Sequence, residues 1–205
     1  MLSLVFPRKC ILCRSILSNQ EKDLCQKCCE TAPTFRRSKR NIQFIAHWTA
    51  LWYYRDAVRP SIRRFKFYNF RLYAKNYAAL LSPKLETDFD ILSWTPVSAR
   101  RKLHRGYDQS QLLANALGEK LGVQPVRVLK KIRHTPPQST IRDPAKRRAN
   151  VLGAYRVVDP DFVRGKRILL IDDVITTGAT ASECAKTLMF AGAKEVIFAA
   201  VAAAE

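Results

Sequence analysis

Lys166-Arg-Ile-Leu-Leu-Ile171-Asp172-Asp173-Val-Ile-Thr176-Thr177-Gly178-Ala179-Thr180 is the stretch on which the fold turns. Ile168 to Ile171 is an unbroken apolar run, the pattern of a parallel strand buried on both faces. Two carboxylates follow at its C-terminal end, then a short loop of small and hydroxyl residues. Ala181 to Ala191 has helical character, and Gly192 stands where a helix-terminating glycine belongs. Glu195 to Val201 reads as the next buried strand. Strand, loop, helix and strand in that order make one unit of an open α/β sheet, and such sheets bind ligands at the carboxyl ends of their strands.

The loop suits a phosphate. Thr176, Thr177, Gly178, Ala179 and Thr180 offer backbone N–H groups, hydroxyls and a helix N-terminus to an anion. Asp172 and Asp173 can accept hydrogen bonds from the two hydroxyls of a ribose. Gly-Lys-Thr is missing, so this is no Walker A loop, and the dinucleotide Gly-x-Gly-x-x-Gly is missing too. Two acids beside a threonine-rich helix cap would be the plainer interpretation of the same residues.

Working outward, the charge is the compositional outlier. Thirty-six Lys and Arg face seventeen Asp and Glu over 205 residues, giving +19. Such an excess predicts a polyanionic partner: nucleic acid, an anionic membrane surface or a phosphorylated ligand. No apolar run approaches the roughly 18 residues of a membrane span. Met1 to Pro7 lacks the basic start and apolar length of an export signal, so a cytoplasmic protein is expected.

In a reducing compartment, six cysteines point to metal or buried thiols rather than disulfides. Cys10 and Cys13 form one Cys-x-x-Cys pair, and Cys25 and Cys28 a second. Four thiolates so paired can close a tetrahedron around one structural Zn²⁺, with Cys29 as a spare and Cys184 as a buried small hydrophobe. A segment of about 35 residues cannot build its own core, and metal would substitute for it. The expected organisation is a zinc-ribbon-like unit at 1–36 and an α/β unit at 37–205.

The segment from Arg36 to Asn76 interleaves eleven basic residues and one acid with ten aromatics. Arg36 to Arg40 reads as a solvated basic hinge. Ala50 to Tyr54 reads as a strand, Asp56 to Phe67 as a helix, and Asn69 to Leu81 as another with Leu72, Tyr73, Tyr77 and Leu80 inward. Cations beside rings suit single-stranded nucleic acid, the cations tracking phosphates and the rings stacking on bases. Core packing is the better account for most of the rings, since Trp52, Tyr54 and Phe65 sit at apolar-face positions. Phe89 to Trp94 reads as a strand and Gln109 to Leu121 as an amphipathic helix. Between them Arg100, Arg101, Lys102 and Arg105 crowd a strand–helix turn that could neutralise a pyrophosphate or a nucleic-acid backbone. Lys130 to Arg148 reads as a mobile basic loop over the site.

The stretch from Arg167 to Thr180 resembles the phosphoribosyl-pyrophosphate (PRPP) loop of type I phosphoribosyltransferases. The rest of the chain narrows the resemblance to the ComF competence family. Its four-cysteine N-terminus matches Cys10, Cys13, Cys25 and Cys28, and its first helix pattern matches Tyr54, Asp56, Val58, Arg59 and Phe65-Lys66-Phe67. Its Val-Pro-Val-Pro stands here as Thr95-Pro96-Val97-Ser98, and its Arg-Gly-Phe-Asn-Gln as Arg105-Gly106-Tyr107-Asp108-Gln109. Thr135 with Gln138, and Arg147 with Asn150, complete the match. Thr95, Ser98, Tyr107 and Asp108 depart from the family pattern.

The resemblance implies a type I phosphoribosyltransferase-like open, mostly parallel sheet with a zinc-ribbon-like appendage. It implies that Asp172 and Asp173 hold the ribose of PRPP, that Thr176 to Thr180 hold its 5′-phosphate, and that Mg²⁺ accompanies it. The function implied is handling of single-stranded DNA in the cytoplasm during natural transformation, with DNA-uptake machinery proteins as possible partners. The alternative is an enzyme transferring ribose 5-phosphate from PRPP to a nitrogen base.

Overall fold

The computed structural model describes residues 7–36, 40–85, 88–136, 141 and 143–204. A four-stranded, wholly parallel sheet forms its centre. It is built from β1 (His47–Tyr53), β2 (Ile91–Trp94), β5 (Arg167–Ile175) and β6 (Glu195–Ala203), in the order β1-β6-β5-β2. A short antiparallel pair, β3 (Leu129–Lys131) and β4 (Tyr155–Val157), stands apart from it. The expected α/β class with a parallel sheet is therefore what the chain adopts.

Side chains of β5 alternate between two apolar layers. Leu169 and Ile171 join a cluster with α2 (Val58–Phe67), α3 (Tyr73–Leu81) and α5 (Gln109–Leu121). Ile168 and Leu170 join another with α8 (Ala179–Phe190) and the β3–β4 pair. A strand covered on both faces cannot alternate apolar with polar, which is why this one reads as a continuous run. The remaining helices are short: α1 (Gln26–Thr31), α4 (Ala99–Arg105), α6 (Pro144–Val151) and α7 (Pro160–Val163).

Strand lengths create the opening. β2 stops where Trp94 pairs with Ile171, whereas β5 continues along β6 to the Ile175–Ala203 pair. Asp172 and Asp173 therefore lie inside β5 by its pairing with β6, but past the end of β2. The expected strand Ile168–Ile171 is longer at both ends for the same reason. The helix expected at Ala181 starts two residues earlier, so Ala179 and Thr180 open α8 rather than ending a loop. Gly192 has φ +96°, a left-handed conformation that suits glycine just past a helix end.

Three expectations need correction. Leu72, expected inward, is 77% exposed, because α3 begins only at Tyr73 and Leu72 lies in the turn before it. Arg100, Arg101, Lys102 and Arg105 sit on a helix of their own, α4, capped by the Ser98 side chain at its start and by left-handed Gly106 at its end. Lys130 to Arg148 is not one loop: Lys130 and Lys131 belong to β3, and residues from Pro144 onward belong to α6. Gln138, and with it residues 137–140 and Arg142, lie outside the described residues.

The cysteine segment docks on α2. Ile11 and Leu12 are buried, and their carbonyls accept from the Arg64 guanidinium at 3.0 and 2.6 Å. Ser61 Oγ donates to the Ile11 carbonyl at 2.5 Å. Beneath this contact Phe65 and Tyr77 are fully buried, edge to face with centroids 5.5 Å apart.

Truncating Phe65 to Ala should cost about 3–5 kcal/mol. Leu72→Ala, at its exposed site, should stay within about 0.5 kcal/mol of the parent. Chemical denaturation of the two variants checks the assignment of inward and outward faces.

Candidate functional site

At the carboxyl end of the sheet a cleft opens between the end of β5, the N-terminus of α8, and α4. Asp172 and Asp173 form its floor. Asp172 Oδ1 accepts from the Ser110 hydroxyl at 2.7 Å and from the Asp173 backbone N–H at 2.8 Å. Asp173 pairs with Lys66 Nζ at 2.7 Å, both side chains being largely buried. Lys66 reaches the cleft from the last turn of α2. Burial, and next the Asp173 carboxylate, push the Asp172 carboxyl up to about 7.

The wall opposite is the phosphate-loop candidate, and it lines the cleft along its whole length, Thr176 to Thr180. Gly178 is the N-cap of α8 and has φ +81°, so it offers no side chain to the helix's first N–H groups. A Cβ there would also stand 3.2 Å from the Ile42 side chain. The loop is tied down by Arg40, which donates to the Thr176 carbonyl at 2.6 Å and stacks over Trp48. Arg40 is thus a structural prop rather than part of a solvated hinge, while Arg37 and Lys39 lie outside the described residues.

The four cations singled out on α4 divide. Arg101 and Arg105, one helical turn apart, line the cleft; Arg100 and Lys102 do not. Arg101 donates to the Thr135 carbonyl at 3.0 Å, and Arg105 lies 4.7 Å over the Phe67 ring. Lys131 of β3 joins them beside Tyr155, its ammonium 5.0 Å from the ring centroid. Burial first, then the charge of Arg101, lower its pKa to about 8. An anion in the cleft would meet Arg101, Arg105 and Lys131 together.

Two departures from the family pattern keep a structural role. Asp108 caps α5, accepting from the Ser110 and Gln111 N–H groups, and its other oxygen accepts from the Val97 N–H at 3.0 Å. Ser98 caps α4 and contacts His134 Nδ1 at 2.9 Å. Thr95 and Tyr107 are buried as well.

Sequence reasoning passed over Ser110 and Lys131 as site residues and treated Lys66 only as part of a motif. Each comes from an element distant in sequence from Asp172. Only Lys66 carried a signal: a cation between two aromatics at the end of an amphipathic helix.

In the N-terminal segment, the ligand atoms of Cys10, Cys13, Cys25 and Cys28 all lie within 4.8 Å of one another. Tetrahedral Zn–S bonds of about 2.3 Å place sulfurs about 3.8 Å apart, so this donor set fits a four-thiolate metal site. Cys29 is exposed and outside the cluster, and Cys184 is fully buried in the core.

Two measurements check these sites. Elemental analysis should find about one zinc per chain, lost on combined Cys25→Ser and Cys28→Ser substitution. The second concerns Asp172. Its native pKa lies above the unfolded value, so the native state keeps a proton that the unfolded chain releases. That contribution to stability is complete below about pH 4 and is lost as pH rises toward about 7. Asp172→Asn should remove this part of the pH dependence in parallel denaturation series.

Comparison with known proteins agrees with this geometry. The phosphoribosyl transferase domain family matches residues 106–205. Competence protein F of Haemophilus influenzae is 27% identical over 219 residues, covering 93% of this chain and 95% of that protein. Competence protein ComFC of Streptococcus pneumoniae is 33% identical over 156 residues, covering 72% and 64% respectively. DNA utilization protein YhgH of Escherichia coli is 34% identical over 102 residues, covering 49% of this chain and 44% of that one. The chain belongs to the ComF competence family, with a phosphoribosyl transferase domain in its C-terminal half.

Proposed function

We propose that this protein handles single-stranded DNA in the cytoplasm during natural transformation and holds PRPP with Mg²⁺ in its cleft. The observation that carries the reading is the meeting, in one cleft, of paired carboxylates, a helix N-terminus capped by glycine and the cations of α4 and β3. Asp172 and Asp173 would accept the ribose hydroxyls. Thr176 to Thr180 would hold the 5′-phosphate, and Arg101, Arg105 and Lys131 the pyrophosphate. Mg²⁺ would supply further neutralisation of the phosphates. Lys66 would give up part of its contact with Asp173 as the ribose arrives.

The four-cysteine segment, 1–36, serves as a zinc-stabilised unit on the α/β body, 37–205. Arg100 and Lys102 point the basic surface outward, where a DNA backbone could be met. Two of the relatives are named for competence and a third for DNA utilization. Among the described residues no helix is long and apolar enough to cross a membrane. Contacts with DNA-uptake machinery proteins belong to the same reading.

A second reading is favoured by Tyr54 and Phe67, two aromatic residues that line the cleft. A nitrogen base stacked there would lie beside the ribose site, so that transfer from PRPP with release of pyrophosphate becomes chemically reasonable. Pyrophosphate release from PRPP on addition of free bases separates this enzyme from a binding protein.

PRPP with Mg²⁺ should raise the melting temperature of the parent, because a ligand bound only by the native state stabilises it. Combined Asp172→Ala and Asp173→Ala should abolish that shift, and an undiminished shift would place the ligand elsewhere. Single-stranded DNA should bind with strong salt dependence. For about six phosphate contacts the log–log slope is about −4.

A further inference from the structure

The turn between α2 and α3, Phe67 to Leu72, carries the two most exposed aromatics of the basic segment. Phe67 is 56% exposed, Tyr68 62% and Leu72 77%, whereas Trp52, Phe65, Tyr73 and Tyr77 are buried. The turn is held in this shape by Asn69, at φ +60°, whose side-chain oxygen accepts from Arg71 Nε at 2.8 Å. Asparagine tolerates that left-handed backbone better than most residues.

Beside the turn, on the flank away from the cleft-lining Phe67, runs an open groove of about 560 Å³. That is within the roughly 300–1,000 Å³ of ordinary small-molecule sites. One wall is the turn, with Tyr68, Phe70 and Leu72; the other is the cysteine segment, with Lys9 and Arg14. Arg14 lies 4.8 Å over the Phe70 ring. The Tyr68 ring pairs with no other ring or cation among the described residues. The groove lining contains Lys9, Arg14 and Arg71 and no carboxylate.

Exposed rings beside cations, with no carboxylate in the groove lining, match one chemistry closely. An unpaired nucleobase stacks on a ring while its phosphates meet the flanking cations. A folded acidic protein would satisfy the charge but not the flat open rings, and duplex DNA keeps its bases stacked on each other. We infer that the groove between the cysteine segment and the Phe67–Leu72 turn seats single-stranded nucleic acid, with Tyr68 as its stacking platform. This rests on the single-strand reading above and gives it a location. Phe67, next to Tyr68 in the chain, lines the cleft instead.

The test is binding of a fluorescently labelled oligothymidylate to the full chain by anisotropy, across a salt series. Tyr68→Ala should weaken binding about tenfold, as expected for one lost base–ring stack. Tyr68→Phe should restore it. Lys9→Ala with Arg14→Ala should make the salt slope shallower by about 1.4, for two lost phosphate contacts. Leu72→Glu, at a site too exposed to disturb folding, should also weaken binding. Zinc content, melting temperature and the PRPP-induced shift should match the parent in every variant. If the parent binds but all of these variants bind as it does, the groove is wrong and the single-strand reading survives. If the parent ignores the oligonucleotide even at low salt, that reading itself fails. Duplex bound as tightly as single strand would overturn the stacking role of Tyr68.

Discussion

Two adjacent carboxylates in a poorly hydrated cleft repel each other and lose their water, and much of the surrounding structure offsets these two costs. Asp173 is compensated by a lysine brought from α2, and Asp172 by a hydroxyl from the first turn of α5 and by its neighbour's backbone. The residual strain shows as an Asp172 carboxyl that holds its proton well above the usual carboxylate range. These compensations require that α2, α5 and β5 meet at one point. The mutual packing of those elements in one apolar layer provides the meeting.

The opening itself follows from a difference in strand length. Were β2 to pair with β5 as far as β6 does, the acids would be covered and no ligand could reach them. Thr95 ends the pairing with a last hydrogen bond to the Ile171 carbonyl, and the chain turns away through Pro96 into α4. Proline after the final rung cannot donate to another. The cations of α4 are thereby carried across the cleft to face the phosphate loop.

Much of this was legible in the sequence. The apolar run of β5, the glycine after α8 and the 13-residue α5, whose bounds Gln109 and Leu121 agree with the periodicity, are local signals and were read correctly. The cysteine pairs were legible because ligand spacing is a covalent constraint. What the sequence hid depends on contacts far along the chain. Arg40 looked like part of a solvated run because its partners, Thr176 and Trp48, come from other elements. Lys131 looked like loop because β3 has only three residues, too few to show a period. Leu72 fits an inward helical position only if the helix begins at Asn69, and the left-handed backbone of Asn69 delays it.

Helix α2 joins two places that share no atoms. Ser61 and Arg64 grip the Ile11 and Leu12 carbonyls inside the cysteine segment, and Lys66, two residues beyond Arg64, reaches the carboxylates. The two contacts lie on one short stretch of the helix, Ser61 to Lys66. A substitution that shifts this stretch would therefore disturb the seating of the cysteine segment and the charge balance of the cleft together.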